Sequence, residues 1–577
     1  MQHSVGDHAL LADGRTAALV DPNGNVAWLC WPRIDSAPCL LSILDDLAGG
    51  VFTVAPADRS AEIVTREYLP GTLILRTVWR APGGELTVDD ALAWDAPQRL
   101  LRRLRARGSV EVLVRVALAP DAARAAAQPH IDGSTLSVRG GGLHIAVHAP
   151  ATWTAAAGGT MECRFTVTGA ECSVVLGDAG VSRPLPSLNP TLARFSATVP
   201  AASALQPNEI ASRVLGETTA RSLLRQSAAV ILGLRQRGGG IVAAPTTSIP
   251  QWPGTGRTWD YRYSWLRDTA LAGMALLGAG LIEDAAGLGD FLGAATTSLP
   301  PAVLLRVDGS APPAERLLGH LRGYRGAIPV RLGNAASDQL QLDVSGEVLD
   351  FAAALAARDA LPDSLRGGAV RLADWTADHW MEPDHGIWEI RGRPRRYTHS
   401  RVMAWSGLMQ ATRLSEGGVI VGDRERWRDT AQAIRSSLVG GRGPLQLRDA
   451  GGGPDAALAQ AVLVGLFDGD DPTIHATLDS IVTNLDRGGL IDRHGPGVDI
   501  SADLCAPFLF PTFWVAQALQ RSGRDGSRYF SAAAGSRGAV NLFGEVADPA
   551  DQSPLGNYPH VQSHAAFMLA AMDSVRR

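Results

Sequence analysis

Two glutamates stand in short, loop-like surroundings in the second half of this chain. Glu389 follows Trp388 directly within Asp384-His-Gly-Ile-Trp-Glu-Ile-Arg391, and Glu545 lies in Asn541-Leu-Phe-Gly-Glu-Val-Ala-Asp-Pro549. A pair of carboxyl groups suits general acid–base work, one giving a proton and the other taking one. A third segment, Arg257-Thr-Trp-Asp-Tyr-Arg-Tyr-Ser-Trp-Leu-Arg-Asp268, packs four aromatics and five charges into twelve residues. Any one of these segments alone reads as a helix end with its core and surface pairs. Three of them in one half of a chain suggest a pocket with aromatic walls and charged hydrogen-bond partners, which is what the apolar faces and dense hydroxyls of a sugar require.

Composition excludes other chemistries. All 53 basic residues are arginine, so no lysine is present to form a Schiff base, hold a nucleotide phosphate or act as an amine nucleophile. Gly238-Gly-Gly-Ile and Gly451-Gly-Gly-Pro lack the strand before and helix after that a phosphate-binding loop needs. Five cysteines (Cys30, Cys39, Cys163, Cys172, Cys505) form no CxxC pair and read as buried thiols. His144 and His148 have an i, i+4 spacing in a strand-like run, where they stand about 13 Å apart. His560 and His564 have the same spacing without a glutamate between them. We therefore expect no metal site and no cofactor. A net charge of −5 gives no general pull toward nucleic acid. No apolar run is long enough to span a membrane. The start, Met1-Gln-His-Ser-Val-Gly-Asp-His8, has no basic stretch followed by an apolar one, so a cytoplasmic protein acting on a small molecule is expected. Oligomeric state, a homo-oligomer included, is left open.

These residues need a scaffold. With 577 residues the chain exceeds one ordinary core. The first 210 or so residues read as β-rich: Ser109-Val-Glu-Val-Leu-Val-Arg-Val-Ala-Leu and Thr135-Leu-Ser-Val-Arg alternate as half-buried strands do, broken at Gly140-Gly-Gly and Ala157-Gly-Gly. Regular short strands suggest an antiparallel sandwich. From about Glu217 the period becomes helical, at Thr218–Gln236, Arg267–Gly280, Phe351–Ala357, Val402–Thr412, Ala456–Phe467 and Phe513–Arg521. The stretch from Arg237 to Trp259 is a long proline- and glycine-rich connection, and such loops are often functional.

The chain is similar to glycoside hydrolase family 15, the glucoamylase-like enzymes, and within it to the bacterial and archaeal trehalase-like branch. Val5-Gly-Asp-His-Ala-Leu-Leu-Ala-Asp-Gly-Arg and Val26-Ala-Trp-Leu-Cys-Trp-Pro-Arg resemble that branch's amino-terminal β domain. Trp259–Asp268 is the most specific match. Gly333-Asn-Ala-Ala-Ser-Asp, Gly346-Glu, Ile387-Trp-Glu, Leu555-Gly-Asn-Tyr-Pro and Ser563-His follow in the family's order. The resemblance covers nearly the whole chain. It implies a β-sandwich over residues 1–215 and an (α/α)6 barrel over 216–577, with the site in the barrel's mouth.

Carried over residue by residue, Glu389 matches the general acid and Glu545 the general base of an inverting α-glucoside hydrolase. Arg267 and Asp268 match the pair that grips the non-reducing glucose. Trp259, Tyr261, Trp265 and Trp388 become aromatic walls, with Glu347, Arg391 and His564 as further substrate-side groups. Inversion asks for carboxyls roughly 6.5–9.5 Å apart, with room for a water. We expect the acid to be kept protonated by an apolar setting beside Trp388, and the base to sit in a more polar, hydrated position.

Departures fall inside the matching segments. Ile328 stands where the family has an arginine before proline, Ser345 where a tyrosine precedes Gly-Glu, and Val546 where a second glutamate follows the base. Pro559-His-Val-Gln-Ser-His and the proline in Leu509-Phe-Pro-Thr-Phe-Trp are further differences. They motivate an alternative, a repurposed member that uses an acid to rearrange or cyclise a non-sugar or secondary-metabolite substrate. A carbohydrate-binding protein without catalysis is a third reading, disfavoured by the presence of both glutamates.

Overall fold

The computed structural model describes residues 2–95, 97–179, 187–439, 443–449, 451–498 and 506–572. Strands β1 (Ala9–Ala12), β2 (Ala17–Val20), β3 (Val26–Cys30) and β4 (Pro38–Leu40) form an antiparallel meander. Every residue of these four strands is buried, because β1 and β3 pack on a second sheet and β1 also meets the helical half. The second sheet begins with β5 (Val51–Pro56), β6 (Glu62–Tyr68), β7 (Leu75–Ala81), β8 (Gly84–Leu92) and β9 (Arg99–Ala117). It continues through β10 (Gln128–Asp132), β11 (Thr135–Gly140), β12 (Leu143–His148), β13 (Thr154–Ala155), β14 (Met161–Thr168) and β15 (Cys172–Asp178).

One strand organises it. β9 pairs with β15 through Arg99–Leu104 and with β14 and β5 through its second half, so it carries the sheet from one face of the domain to the other. In that half Val110, Val112, Val114 and Val116 are buried while their neighbours are more exposed, the period of two expected from the sequence.

The β-rich texture ends earlier than the sequence suggests. After β15 come helices at Asn189–Thr198 and Glu209–Leu215. The first buries only Thr191 and Phe195, too sparse a stripe to register as a helical period, and Phe195 packs edge-on against Trp94 at 5.6 Å.

Among the described residues twelve helices follow, in six pairs: α1 (Glu217–Leu234) and α2 (Leu266–Gly278); α3 (Ile282–Ala295) and α4 (Asp343–Ala356); α5 (Asp363–His379) and α6 (Thr398–Glu416). The rest are α7 (Arg424–Val439) and the short α8 (Gln460–Leu463); α9 (Pro472–Asn484) and α10 (Leu509–Arg521); α11 (Ser527–Gly535) and α12 (Val561–Ala571). The even-numbered helices touch in sequence, α2 to α4, α4 to α6, α6 to α8, α8 to α10 and α10 to α12, and α12 returns to α2. This closed inner ring, with the odd-numbered helices outside it, is an (α/α)6 barrel.

Burial follows position in the ring. α2 buries every residue from Leu266 to Leu277, as a helix covered on all sides must. α7 buries only Trp427, Ala431, Ile434 and Leu438, one stripe facing inward. Two inner helices approach unusually closely: a Cβ on Gly346 of α4 would lie 2.1 Å from the Met403 carbonyl oxygen of α6. The glycine of the Gly346-Glu347 pair is therefore a packing requirement. α4 begins at Asp343, well before the Phe351 expected, because its first turns carry polar residues that the ring buries. Ala456–Phe467 is a 3-10 turn, Ala456–Ala459, followed by one short helical turn, ended near Gly465 in the left-handed region. Among the described residues no helix is long and apolar enough to cross a membrane.

Candidate active site

The inner helices all start at one end of the barrel, and the six connections that precede them meet there. They are 243–265 before α2, 334–339 before α4, 384–391 before α6, Asp455 before α8, Arg493 and Phe508 before α10, and Glu545 and His560 before α12. Residues from five of them line a cavity of about 240 Å³. Asp455, from the sixth, stands behind its Trp388 wall.

Arg267 and Asp268 form its floor. They occupy the first turn of α2, where the helical period was expected to begin, with Trp265 at its N-cap. Asp268 suits the positive end of the helix and Arg267 does not. Arg267 is compensated by acids: its guanidinium donates to Asp343 Oδ2 and Glu389 Oε1 at 3.4 Å each, and to Gln341 Oε1 at 2.8 Å. Burial works against its charge, yet Asp268, Asp343, Glu389 and Glu347 hold its pKa above the ordinary value. Burial also pushes the Asp268 carboxyl up to about 6, with Arg267 opposing.

Glu389 caps a tight turn in which its N–H donates to the Gly386 carbonyl oxygen. Its φ of 55° is left-handed, costly for a side chain with a Cβ, and such strain concentrates at functional sites. The Trp265 indole N–H donates to Glu389 Oε1 at 2.5 Å, beside the Arg267 contact. Glu545 has different surroundings. It is 2% exposed, and its Oε1 accepts from the Tyr261 hydroxyl at 2.6 Å and from Gln251 Nε2 at 2.7 Å. Its Oε2 has no hydrogen-bond partner among the described residues. Gly556 lies beside it: a Cβ there would come within 2.7 Å of Oε2. Burial pushes the Glu545 carboxyl up to about 7, while the Tyr261 and Gln251 hydrogen bonds and nearby Arg493 oppose that rise.

The two glutamates are joined by aromatic contacts. Tyr261, bonded to Glu545, packs edge-to-face on Trp265, bonded to Glu389, with centroids 5.4 Å apart. Trp388 forms another wall against Phe508 and Phe510, at 5.9 and 5.8 Å, and its indole N–H donates to Asp455 Oδ1. At the mouth, Arg391 lies over the Trp259 ring, 4.3 Å from its centroid.

Nine of the residues expected from the sequence therefore line one cavity: Trp259, Tyr261, Trp265, Arg267, Asp268, Trp388, Glu389, Arg391 and Glu545. Two do not. Glu347 is buried in α4 beneath the floor, where it favours the Arg267 charge. His564 is 0% exposed; its Nε2 accepts from the Phe543 N–H and its Nδ1 meets the Ser227 hydroxyl, so it ties α12 to the base loop and α1. The expected environments of the acid and base are also reversed. The base candidate is the more deeply buried, with the raised pKa, whereas the Glu389 side chain is 22% exposed and meets two donors. The cause is topological: Glu545 sits where its strand-like turn, Val546–Ala547 paired with Pro554–Leu555, closes against the loop before α2.

Of the departures from the family pattern, Ile328 is exposed and Ser345 and Val546 are buried away from the cavity. Those that reach it are His560 and Gln562, while the proline, Pro511, is buried in α10 outside the lining. Burial drives the His560 pKa down to about 3, so its imidazole is neutral. Gln251, Gln339, Arg493, Phe508 and Phe510 also line the cavity and went unrecognised, and Arg257 and Asn334 line it from segments the sequence had picked out without a role for either. Gln251 and Arg257 lie in the long connection whose length marked it; nothing near Arg493 distinguishes it in sequence. The histidine pairs are occupied otherwise, with His144 accepting from Arg139 and His560 meeting Ser563. Among the described residues no group of three potential ligands gathers as a metal site.

Comparison with known proteins follows the same outline. The family model described as glycosyl hydrolases family 15 matches residues 218–526, and that of the trehalase-like N-terminal domain matches 2–181. A trehalase of Mycolicibacterium smegmatis is 31% identical, the match covering 99% of this chain and 91% of that protein. Trehalase 1 of Sulfolobus acidocaldarius is 28% identical over 97% of each. The crystal structure of a bacterial glucoamylase complexed with acarbose superposes with a TM-score of 0.69 at 13% identity, covering 99% of this chain and 94% of that one, a likeness of fold.

Proposed function

Because the chain belongs to glycosyl hydrolases family 15 and is a glycoside hydrolase of the trehalase and glucoamylase class, we propose that it hydrolyses a small α-glucoside such as trehalose with inversion. In this reading Glu389 is the general acid and Glu545 the general base. The observation that carries it is the presence of both carboxylates on one cavity whose floor is Arg267–Asp268. The boundary near residue 215 belongs to the same proposal: a β domain that supports, and a barrel that reacts.

The terminal glucose sits over Arg267 and Asp268, whose charges take its hydroxyls. Glu389 gives its proton to the glycosidic oxygen as the C1–O bond breaks, and the leaving sugar departs with that proton. A water bound at Glu545 Oε2 attacks C1 from the opposite face while Glu545 takes its proton. The unpartnered Oε2 and the space kept by Gly556 support that water position. Tyr261 and Gln251 occupy Oε1 and leave Oε2 for it.

Proton NMR of trehalose, maltose and isomaltose digests, read in the first minutes, tests the reading. Inversion is expected to give an early excess of β-glucose from maltose or isomaltose, and one β- with one α-glucose from trehalose, whose leaving unit keeps its α anomer. Glu389→Gln and Glu545→Gln are each expected to lose on the order of 10²–10⁴-fold in rate with unchanged circular dichroism. Trehalose that releases α-glucose alone, or full activity in either variant, overturns it.

A further inference from the structure

Outside the reacting groups, one acid ties together everything at the cavity's mouth. Glu315 Oε2 accepts from Arg391 at 2.7 Å, and Oε1 accepts from Arg391 at 3.2 Å and from Arg331 at 2.5 Å. Oε2 also takes the Ala335 N–H at 3.3 Å. Both guanidinium groups lie over the Trp259 ring, 4.9 Å from its centroid for Arg331 and 4.3 Å for Arg391. A bidentate carboxylate fixes a guanidinium plane, which otherwise swings on a flexible stem. The backbone is shaped for this contact. Strand pairing of Arg316–Leu317 with Arg331–Leu332 brings Glu315 alongside. Gly333, at φ 84°, admits the approach, since a Cβ there would stand 2.7 Å from the Pro313 carbonyl oxygen.

Depth gives this cluster its meaning. Glu545 and Asp268 are 2% and 3% exposed, whereas the Arg391 side chain is 41% exposed on the same cavity. A sugar seated on the floor leaves its attached unit at the level of Trp259 and Arg391. An indole ring suits that unit's apolar face and guanidinium N–H groups suit its hydroxyls.

We propose that Glu315 is a positioning residue which, through Arg391 and Arg331, holds Trp259 to bind the outer, departing sugar of an α-glucoside. The inference rests on the substrate reading above. It assigns Glu315 no contact with the reacting atoms.

Calorimetric titration in a Glu545→Gln background, which halts turnover, separates the two. Trehalose and D-glucose are titrated into that protein and into the same protein carrying Glu315→Ala, Glu315→Gln or Glu315→Asp. Trehalose affinity is expected to fall about ten-fold for the alanine and glutamine variants, the scale of losing a charge-assisted contact, with partial recovery for aspartate. Glucose affinity, set at the floor, stays within about two-fold. A purely structural role would weaken both ligands together. Should Glu315→Ala fail to fold, Arg391→Ala repeats the measurement, with the same loss expected. Unchanged trehalose affinity in these variants, or equal losses for both sugars, overturns the proposal. If the Glu545→Gln protein itself binds neither sugar, the substrate reading fails and takes the proposal with it; the first result sinks the clamp alone.

Discussion

Glu545 combines two unlike oxygens on one buried carboxyl. Oε1 is saturated by Tyr261 and Gln251, and Oε2 is left beside Gly556. A general base acts only when ionised, and burial raises the pKa of this group to about 7. The acid limb of kcat/KM is therefore expected at about pH 7, with activity lost as pH falls through it. Gln251 donates to the ionised form and so lowers this pKa. Gln251→Leu removes that donor and should move the limb to higher pH. Initial rates across pH 4–9 decide it; a limb unmoved in the variant would show that Gln251 does not hold the base.

Among the connections, the 3-10 turn at Ala456–Ala459 shows how a wall is fixed. Asp455 Oδ1 accepts the Ala457 N–H as a cap and the Trp388 indole N–H at 2.9 Å each. Burial raises this carboxyl to about 7, above the ordinary value of about 3.9 in the unfolded chain. The folded state thus binds the proton more tightly, and the stability linked to it is whole below the unfolded pKa. That stability declines as pH rises toward 7. Asp455→Asn keeps an acceptor for both donors and carries no charge, so its stability relative to the parent protein should be greater at pH 8 than at pH 5. Asp455→Ala should cost about 1–3 kcal/mol by losing the cap and the indole partner. Thermal melts at the two pH values check both, and an asparagine variant whose relative stability falls between pH 5 and 8 refutes the linkage.

At the scale of the whole molecule the β domain braces the loop that carries three of the aromatic walls. Arg262 is buried at the junction. It holds both oxygens of Asp260, donates to the Ser36 carbonyl oxygen at 2.6 Å, and stands over the Trp28 ring. Trp28 in turn donates to the Pro245 carbonyl oxygen at 2.8 Å. Asp260 also accepts the Gly333 N–H, so one ion pair links the β domain, the Trp259–Trp265 loop and the hairpin bearing Glu315. Removing one partner of a buried pair leaves the other charge uncompensated. Arg262→Ala is expected to destabilise the protein by about 3–5 kcal/mol. Denaturant unfolding measures this, and a cost below about 1 kcal/mol would mean that the junction does not brace the site.

Residue chemistry and period were legible along the chain. Trp259–Asp268, Glu389 and Glu545 stood out because a pocket for hydroxyls needs unusual densities of aromatic and charged groups, and such densities survive in one dimension. So did the strand β9 and most inner helices, whose alternation reflects burial on one face or on all. Other facts depended on closure of the ring. Arg493, Gln562 and Glu315 reach the mouth only because connections distant in sequence meet at the same ends of six helices. His564 and Glu347 carry suggestive motifs yet lie behind the walls, since a motif records which residues are required and not which way they face. The environments of the two glutamates were likewise settled in three dimensions. Desolvation is a property of everything packed around a group, and no stretch of sequence contains its own surroundings.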